Sequence, residues 1–494
     1  MDLVDSRSRF SRRAVLGGTL IAAGGMLMVA CGAPVPTPVP AKPTQAPAPA
    51  PPPPTSAPAP PPPTAAPAEA PKPTAVPVAA AAKGTEPVKM SWSNGYVTGK
   101  WPELMVDNFK KIAPNVTLEH RVITFDNAGY AKMYAEAAAG DMADVVPFLP
   151  AHYQMWPAAH RGVIQPIDAY IASDKWDLTQ FFAPFVDQQR WQGKIWGTPG
   201  FGWTGHDAFI MNVKAFEEAG VAIPASDTSP DWTMEKIYEM AVKLTKPRTS
   251  GTGDKIERFG LQIGYTNIQI VPQARAYMGE VLNKEGTKVL LGEGGGLKGA
   301  KWAYDLAVKE KAVPLAGGFT VGQGETLFGL GRLAMYQGGS LESFTVDKVV
   351  QDKFPVKMLL FPKRSDGGRP SQLRAGSWNM SAKTKSPAWT FEFMKYLSSK
   401  EGILTFNTVS GNGSYTRPDV LEDPYFKTNK YFGLWKDALA TAMQPHFPAN
   451  YRGTEMEDAM NNNQQALWLG TADWNEGIKK TVDAMQKVLD KPVE

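Results

Sequence analysis

An α/β fold is expected from three features of this chain. Between Val88 and Val146, strand-like and helix-like runs alternate in the order strand, helix, strand, helix, strand, which favours right-handed crossovers around a parallel sheet. Apolar stripes at helical spacing then recur as far as Leu489. About 410 residues remain after the N-terminal segments described below are set aside, enough for two lobes with separate cores.

The elements follow in order. Val88-Lys89-Met90-Ser91-Trp92 alternates apolar and polar side chains, as a half-buried strand does. Pro102 suits a helix's first turn, and Leu104, Met105, Phe109 and Ile112 form the stripe expected to face inward. Val116, Leu118, His120 and Val122 mark a second strand. A helix from Tyr130 to Ala139 should stop at Gly140, which can adopt the left-handed capping conformation. Ala143-Asp144-Val145-Val146 is short and apolar enough for a buried parallel strand. Val163 to Ile167 and Gly193 to Pro199 read as extended pieces. Asp231-Trp232-Thr233 leads a helix with Met234, Ile237, Ala241 and Leu244 on one face. Ser386-Pro387 offers a cap and first-turn proline for a helix turning Trp389, Phe393 and Leu397 inward. A last helix, beginning near Thr471, carries Trp474, Ile478, Val482, Met485 and Leu489 as a packing stripe. No repeat of 20 to 50 residues is evident, which disfavours solenoids and propellers.

Composition removes several function classes. A net charge of +4 without a basic cluster in the folded part argues against nucleic acid as a partner. One cysteine excludes disulfides within the chain. No His-Glu-x-x-His, Gly-x-Ser-x-Gly or phosphate-binding P-loop signature occurs, and the five histidines lack metal-ligand spacing; no catalytic residue, metal or cofactor is expected.

The first 87 residues are not expected to join the fold. Ser11-Arg12-Arg13 precedes an apolar run from Val15 to Ala30, about 16 residues and thus short of the roughly 20 a spanning helix needs. It resembles a twin-arginine export signal. Met28-Val29-Ala30-Cys31-Gly32 resembles a lipobox, with Met28 in place of the usual leucine; Cys31 would then carry lipid at the mature terminus. From Gly32 to Lys83, 20 of 52 residues are proline, a composition for an extended spacer up to roughly 160 Å long. The expected division is 1–30 export signal, 31–87 lipidated cysteine and tether, 88–190 plus 360–405 lobe one, and 191–359 plus 406–494 lobe two.

Several blocks in series resemble the extracellular solute-binding proteins of ATP-driven (ABC) importers, in the family that includes maltose-binding protein. They are Ala138 to Val146, Gly162 to Asp168, Gly193 to Pro199, Asn212 to Gly220, Trp232-Thr233 with its helix, Phe328 to Met335 and Gly376 to Ser381. Each alone is unspecific; their order across residues 88 to 490 carries the resemblance. It implies a two-lobed periplasmic-binding-protein-like fold with a hinge and an interlobe cleft. The chain would cross between lobes near 187–200, 355–365 and 405–415. Implied partners are a small solute, the permease's transmembrane subunits and, through Cys31, the outer face of the cell membrane; a monomer is expected.

Sugars present an apolar C–H face and a hydroxyl rim, so a site for them needs flat rings beside amides and charges. Predicted strand ends supply both. The candidates are Asn94 and Tyr96 after the first strand, Asp126 after the second, and Phe148 and Tyr153 after the third. From the other side come Phe201, Trp203, His206, Tyr265, Tyr336 and Gln337, with Trp378, Asn379 and Arg417 later in the chain. Two other classes remain open at this level: a surface-anchored carbohydrate-active enzyme using the same cleft, and a receptor for a non-sugar solute such as a peptide or polyamine.

Overall fold

Two five-stranded sheets organise the folded part in the computed structural model. The structure describes residues 83–95, 99–149, 151–205, 207–247, 256–264, 270–314, 323–443 and 446–493, with the side chains of 151–153 and 323 excepted. The export segment, Cys31 and the tether up to residue 82 lie outside these residues, as do Tyr96, His206 and Tyr265 and the side chain of Tyr153.

The strands of the two sheets are β1 (Val88–Asn94), β2 (Val116–Val122), β3 (Val145–Phe148), β4 (Gly197–Gly205), β5 (Ala208–Asn212), β6 (Ile256–Gln262), β7 (Leu333–Gly338), β8 (Val356–Leu360) and β9 (Gln372–Met380). The first sheet runs β2-β1-β3-β9-β4. β1 lies parallel to β2 and β3, while β9 is antiparallel to both β3 and β4. The second runs β8-β5-β7-β6 and ends on the short edge Lys246–Pro247. β5 is antiparallel to β7 and β8, and β6 is parallel to β7.

Local chemistry explains most of the boundaries. The helix Asn127–Ala139 starts three residues before the expected Tyr130, because the Asp126 carboxylate accepts the Gly129 N–H at 2.8 Å, and ends at Gly140 with φ 79°. Thr233 caps Met234–Leu244 through the Lys236 N–H, and Asp473 caps Trp474–Leu489. In Trp101–Ile112 the buried stripe is Trp101, Met105 and Phe109, every fourth residue; Leu104 and Ile112, expected inside, are exposed because they lie off that line. Val122 is likewise exposed at the end of β2. Ser386 makes no capping bond to Pro387–Leu397, in which Phe393 and Leu397 are buried and Trp389 only partly so.

One core lies on the first sheet around Trp92, whose ring centroid is 5.6 Å from Trp101, 5.5 Å from Trp378 and 5.3 Å from Phe393. Another lies on the second sheet and takes in Ile237, Trp302 and Leu306, together with Met456, Met485 and Leu489 of the C-terminal helices. A third spans both sheets: Ala208, Ile210 and Leu360 meet Leu373, Ala375, Tyr415 and Trp435.

The passages between sheets fall later in the chain than expected. Residues 197–205, assigned above to lobe two, form β4 of the first sheet, so the first passage is Gly205 to Ala208. The second is the stretch between Leu360 and Gln372. Instead of a passage confined to 405–415, the Tyr415 N–H bonds back to Gly202 of β4, and Met443 lies across the second passage, donating to the Ser371 carbonyl and accepting from the Leu373 N–H. Hydrogen bonding places these joints, and the apolar pattern carries no sign of it.

Candidate functional site

The seam between the two sheets gathers polar side chains that the fold buries without fully satisfying. It is built where β4 runs into β5 and where the second passage enters β9. The Phe361 N–H donates to the Asp207 carbonyl at 2.8 Å, and Gln372 pairs in register with Gly205, so the two passages lie side by side. Strand alternation turns Leu373 and Ala375 into the shared core and Gln372 and Arg374 to the opposite face.

Gln372 is 0% exposed, yet neither its amide nitrogen nor its oxygen has a partner among the described residues. The Ser371 hydroxyl and the Gln273 side-chain oxygen are equally orphaned. Gln273 donates to the Gly264 carbonyl at 3.1 Å and to the Gln337 oxygen at 2.7 Å, and the Gly264 N–H donates to that same oxygen at 3.2 Å. Two residues along the helix Val271–Ala276, the buried Arg275 pairs with Glu280 at 2.7 Å and donates to the Ser371 and Met443 carbonyls at 3.4 and 3.2 Å. One arginine thus ties the second sheet's flank to the crossing strands.

Asp207 sits in the first passage with no accessible surface, and neither carboxylate oxygen accepts a hydrogen bond of good geometry. Burial pushes its pKa up to about 7; the Thr204 hydroxyl and, more weakly, Arg369 oppose the rise, and Glu342 adds to it. Thr204 is shared with Tyr415, their hydroxyls 2.8 Å apart. Arg369 is held by Asp227 at 2.9 Å and by the Phe361 carbonyl at 2.6 Å. A buried polar atom without a partner costs roughly 1–3 kcal/mol, and several of the described ones fall on this seam.

The residues singled out from sequence are distributed unevenly about this seam. Gln337 belongs to it. Asn94 ends β1, fully buried, its carbonyl accepting the Ile123 N–H at 3.2 Å. Phe201, Trp203 and Trp378 pack in the first core: Phe201 lies 4.9 Å from Trp378 and 6.0 Å from Trp203, whose indole N–H donates to Asn412 at 2.9 Å. A Cβ at Gly200 would come within 2.7 Å of the Trp378 indole nitrogen, so that ring lies directly on the backbone of β4. Asn379 donates to the Trp196 carbonyl at 2.8 Å. Phe148 stacks 5.9 Å from Tyr130 in a smaller core. Tyr336 turns into the shared core, where burial raises its pKa well above the usual phenol value. Asp126 caps a helix, and the Gly129 N–H holds its pKa below the ordinary carboxylate value. Arg417 forms a two-pronged pair with Asp419 at 2.9 and 2.7 Å and lies over the Phe181 ring at 5.3 Å. Each of these has a packing or capping duty, and none of the large rings faces solvent in this conformer.

Asp207, Gln273, Ser371 and Gln372 went unmarked in the sequence, where no motif surrounds them. The one available signal was Gln372, at the head of a mixed polar and apolar strand just after a Gly- and Pro-containing connection. Among the described residues, no cluster of three or more His, Cys, Asp or Glu could hold a metal ion, and no helix is long and apolar enough to cross a membrane.

Two lobes on separate sheets, joined by adjacent crossing strands with a polar seam, define the architecture of the two-lobed substrate-binding proteins. Residues 104–433 match the model of the bacterial extracellular solute-binding proteins, and the chain belongs to that family. Among solved structures it is similar to an ABC substrate-binding protein of Listeria monocytogenes in complex with cycloalternan, at 19% identity and TM-score 0.68, covering 82% of this chain and 99% of that one. A solute-binding protein of Thermotoga lettingae bound with α-D-tagatose is similar at 18% identity and TM-score 0.67, covering 81% and 99%. A maltose-bound protein of T. maritima follows at 18% identity and TM-score 0.65, covering 81% and 100%. At such identities the likeness concerns the fold. No curated protein matches the sequence.

Proposed function

We propose that this chain is a non-catalytic receptor for a carbohydrate outside the cytoplasm, handing its ligand to the membrane subunits of an ABC importer by closing its two lobes. The observation that carries this reading is the buried, incompletely bonded polar set of Gln273, Ser371 and Gln372 at the lobe seam. Amides and hydroxyls both donate and accept, as a sugar's hydroxyl rim does, and they bring no net charge. The carbohydrates bound by the similar solved proteins support the same class. Closure would follow from ligand contacts made only in the closed state, since equal affinity for both states shifts nothing.

Cys31 would carry the lipid anchor and residues 32–82 the spacer that lets the body stand off the membrane. Two or more acyl chains, at about 0.8 kcal/mol per buried methylene, would hold it stably. Labelled fatty acid should enter the full chain and be lost in Cys31→Ala; labelling that survives the change would refute the anchor.

Isothermal titration of the full chain with maltose, maltotriose, mannotriose, cycloalternan and tagatose tests the receptor reading, with small-angle scattering alongside. At least one sugar should bind and reduce the radius of gyration. Absence of binding across the panel, or hydrolysis of a bound sugar, would refute it.

A further inference from the structure

A groove of about 350 Å³, none of whose lining residues belongs to the seam, opens between three short helices, Ala183–Asp187, Pro418–Leu421 and Phe432–Ala440. Its walls are apolar: Phe182, Pro184, Pro418, Leu421, Leu439 and Ala440. Leu421 is part of the core shared by the two sheets, and Phe182 and Leu439 pack against that core, so the groove is a cleft in its outer wall. The two charged residues at its edge, Glu422 and Lys436, pair with each other at 2.9 Å. Pro184 and Pro418 have no backbone N–H to donate. The groove therefore suits an uncharged, apolar occupant that asks for few hydrogen bonds.

The described chain enters the body close by. Lys83 pairs with Glu392 and, at 3.6 Å, with Asp174, while Asn115 donates to the Gly84 and Glu86 carbonyls at 3.2 and 2.9 Å. From this pinned entry a row of rings leads to the groove. Phe391, next to Glu392, lies 5.7 Å from Trp176, and Trp176 lies 5.4 Å from Phe181, whose neighbour Phe182 is a wall. Arg417 lies over the Phe181 ring at 5.3 Å and is followed by another wall, Pro418.

Immediately before Lys83 the sequence reads Ala75-Val76-Pro77-Val78-Ala79-Ala80-Ala81-Ala82, with no charge and no side chain larger than valine. Seven residues at about 3.1 Å each give Val76 a reach of roughly 22 Å from Lys83. An extended segment stiffened by proline loses little entropy on docking, and surfaces lined by rings and prolines are what such segments dock on. We infer that Ala75 to Val78 occupies this groove, so that the last residues of the spacer are held against the body. The inference is independent of the receptor reading; with a lipid on Cys31, it would set the face of the body from which the spacer departs.

Disulfide trapping in the full chain tests it, with Cys31→Ala removing the sole native thiol. Val76→Cys is combined either with Ala440→Cys in the groove or with Ser173→Cys, exposed beside Asp174 and so close to the chain's entry. Under a mild oxidant the Ala440 pair should close within one molecule at least tenfold faster than the Ser173 pair. Leu439→Asp, which puts a charge in the groove, should bring the two rates together in a protein whose thermal midpoint shows it folded. Should that variant not fold, Val78→Asp places the charge in the segment instead and should do the same. Equal rates, or a faster Ser173 pair, would overturn the docking, as would an Ala440 advantage that the added charge leaves intact. Disulfides formed only between molecules, in a yield that rises with protein concentration, would give the groove to a second copy and overturn it equally.

Discussion

Around Trp92 in the first lobe, rings close against one another at 5.3 to 5.6 Å and leave the Trp92 indole nitrogen without a partner, whereas at the lobe seam Gln372 and Asp207 are just as deeply buried and each leave two polar atoms unmatched. Both regions exclude water, and they use the exclusion in opposite ways. The ring cluster gains apolar burial and edge-to-face contacts, which offset its few unmatched polar atoms. The seam bears a desolvation cost that hydrogen bonds from a bound molecule would relieve. On the reading proposed above, the conspicuous aromatic residues stabilise the frame and the inconspicuous amides would bind.

Substitutions in the two regions should separate along this line. The largest effect is expected from Trp378→Ala, which empties a site walled by Trp92 and Phe201 and should cost about 3–5 kcal/mol in denaturant unfolding. Sugar affinity of the protein that remains folded should change little; a selective loss of affinity at unchanged stability would move Trp378 from the frame to the site.

Asp207→Asn should show next. The native carboxyl, with its pKa near 7, keeps a proton that the unfolded chain releases near the ordinary 3.8. Wild-type stability should therefore fall as pH rises from about 4 to about 7 and level off above, and the asparagine variant should lose that slope. An unchanged slope would show that the carboxylate is satisfied after all.

Gln372→Leu sharpens the comparison from the other side. It removes two orphaned polar atoms at similar volume, so unfolding stability should hold or rise, while sugar binding should weaken by about 1–3 kcal/mol in titration calorimetry. Undiminished affinity would remove Gln372 from the site. The smallest effect is expected from Asp126→Ala, which loses a helix cap: the thermal midpoint should drop slightly and sugar affinity stay put. Because hydrogen bonding depresses the Asp126 pKa, this contribution is present above the ordinary carboxylate range and is lost as pH falls through the depressed value. A large loss of affinity would return Asp126 to the binding surface.

Much of the frame could be read from local pattern. The strand at Val88 to Trp92, the Gly140 stop and the helix led by Trp232-Thr233 depend on neighbours within four residues and survive translation from sequence to structure, while the alternation does not extend to burial, since Met90 to Asn94 are all buried. Leu104 and Ile112 failed because a stripe three or four residues apart has two possible phases, and the partners Trp92, on the preceding strand, and Phe406, far away in sequence, select the one through Trp101.

The candidate site was harder to find, since an aromatic residue at a strand end suits a core and a sugar equally well. Trp203 and Trp378 were resolved in favour of the core only when β4 and β9 paired antiparallel and brought them beside Phe201. By itself the sequence determined the α/β class and a few helix ends, such as Gly140, because propensity, periodicity and capping act over a few residues. Only the tertiary structure decided that β4 belongs to the first sheet, that Gln273, Ser371 and Gln372 share a seam, and that Tyr451 reaches His160 across 291 positions. Those outcomes depend on which distant groups meet and which polar atoms are left over when they do, and neither is written in any local stretch of chain.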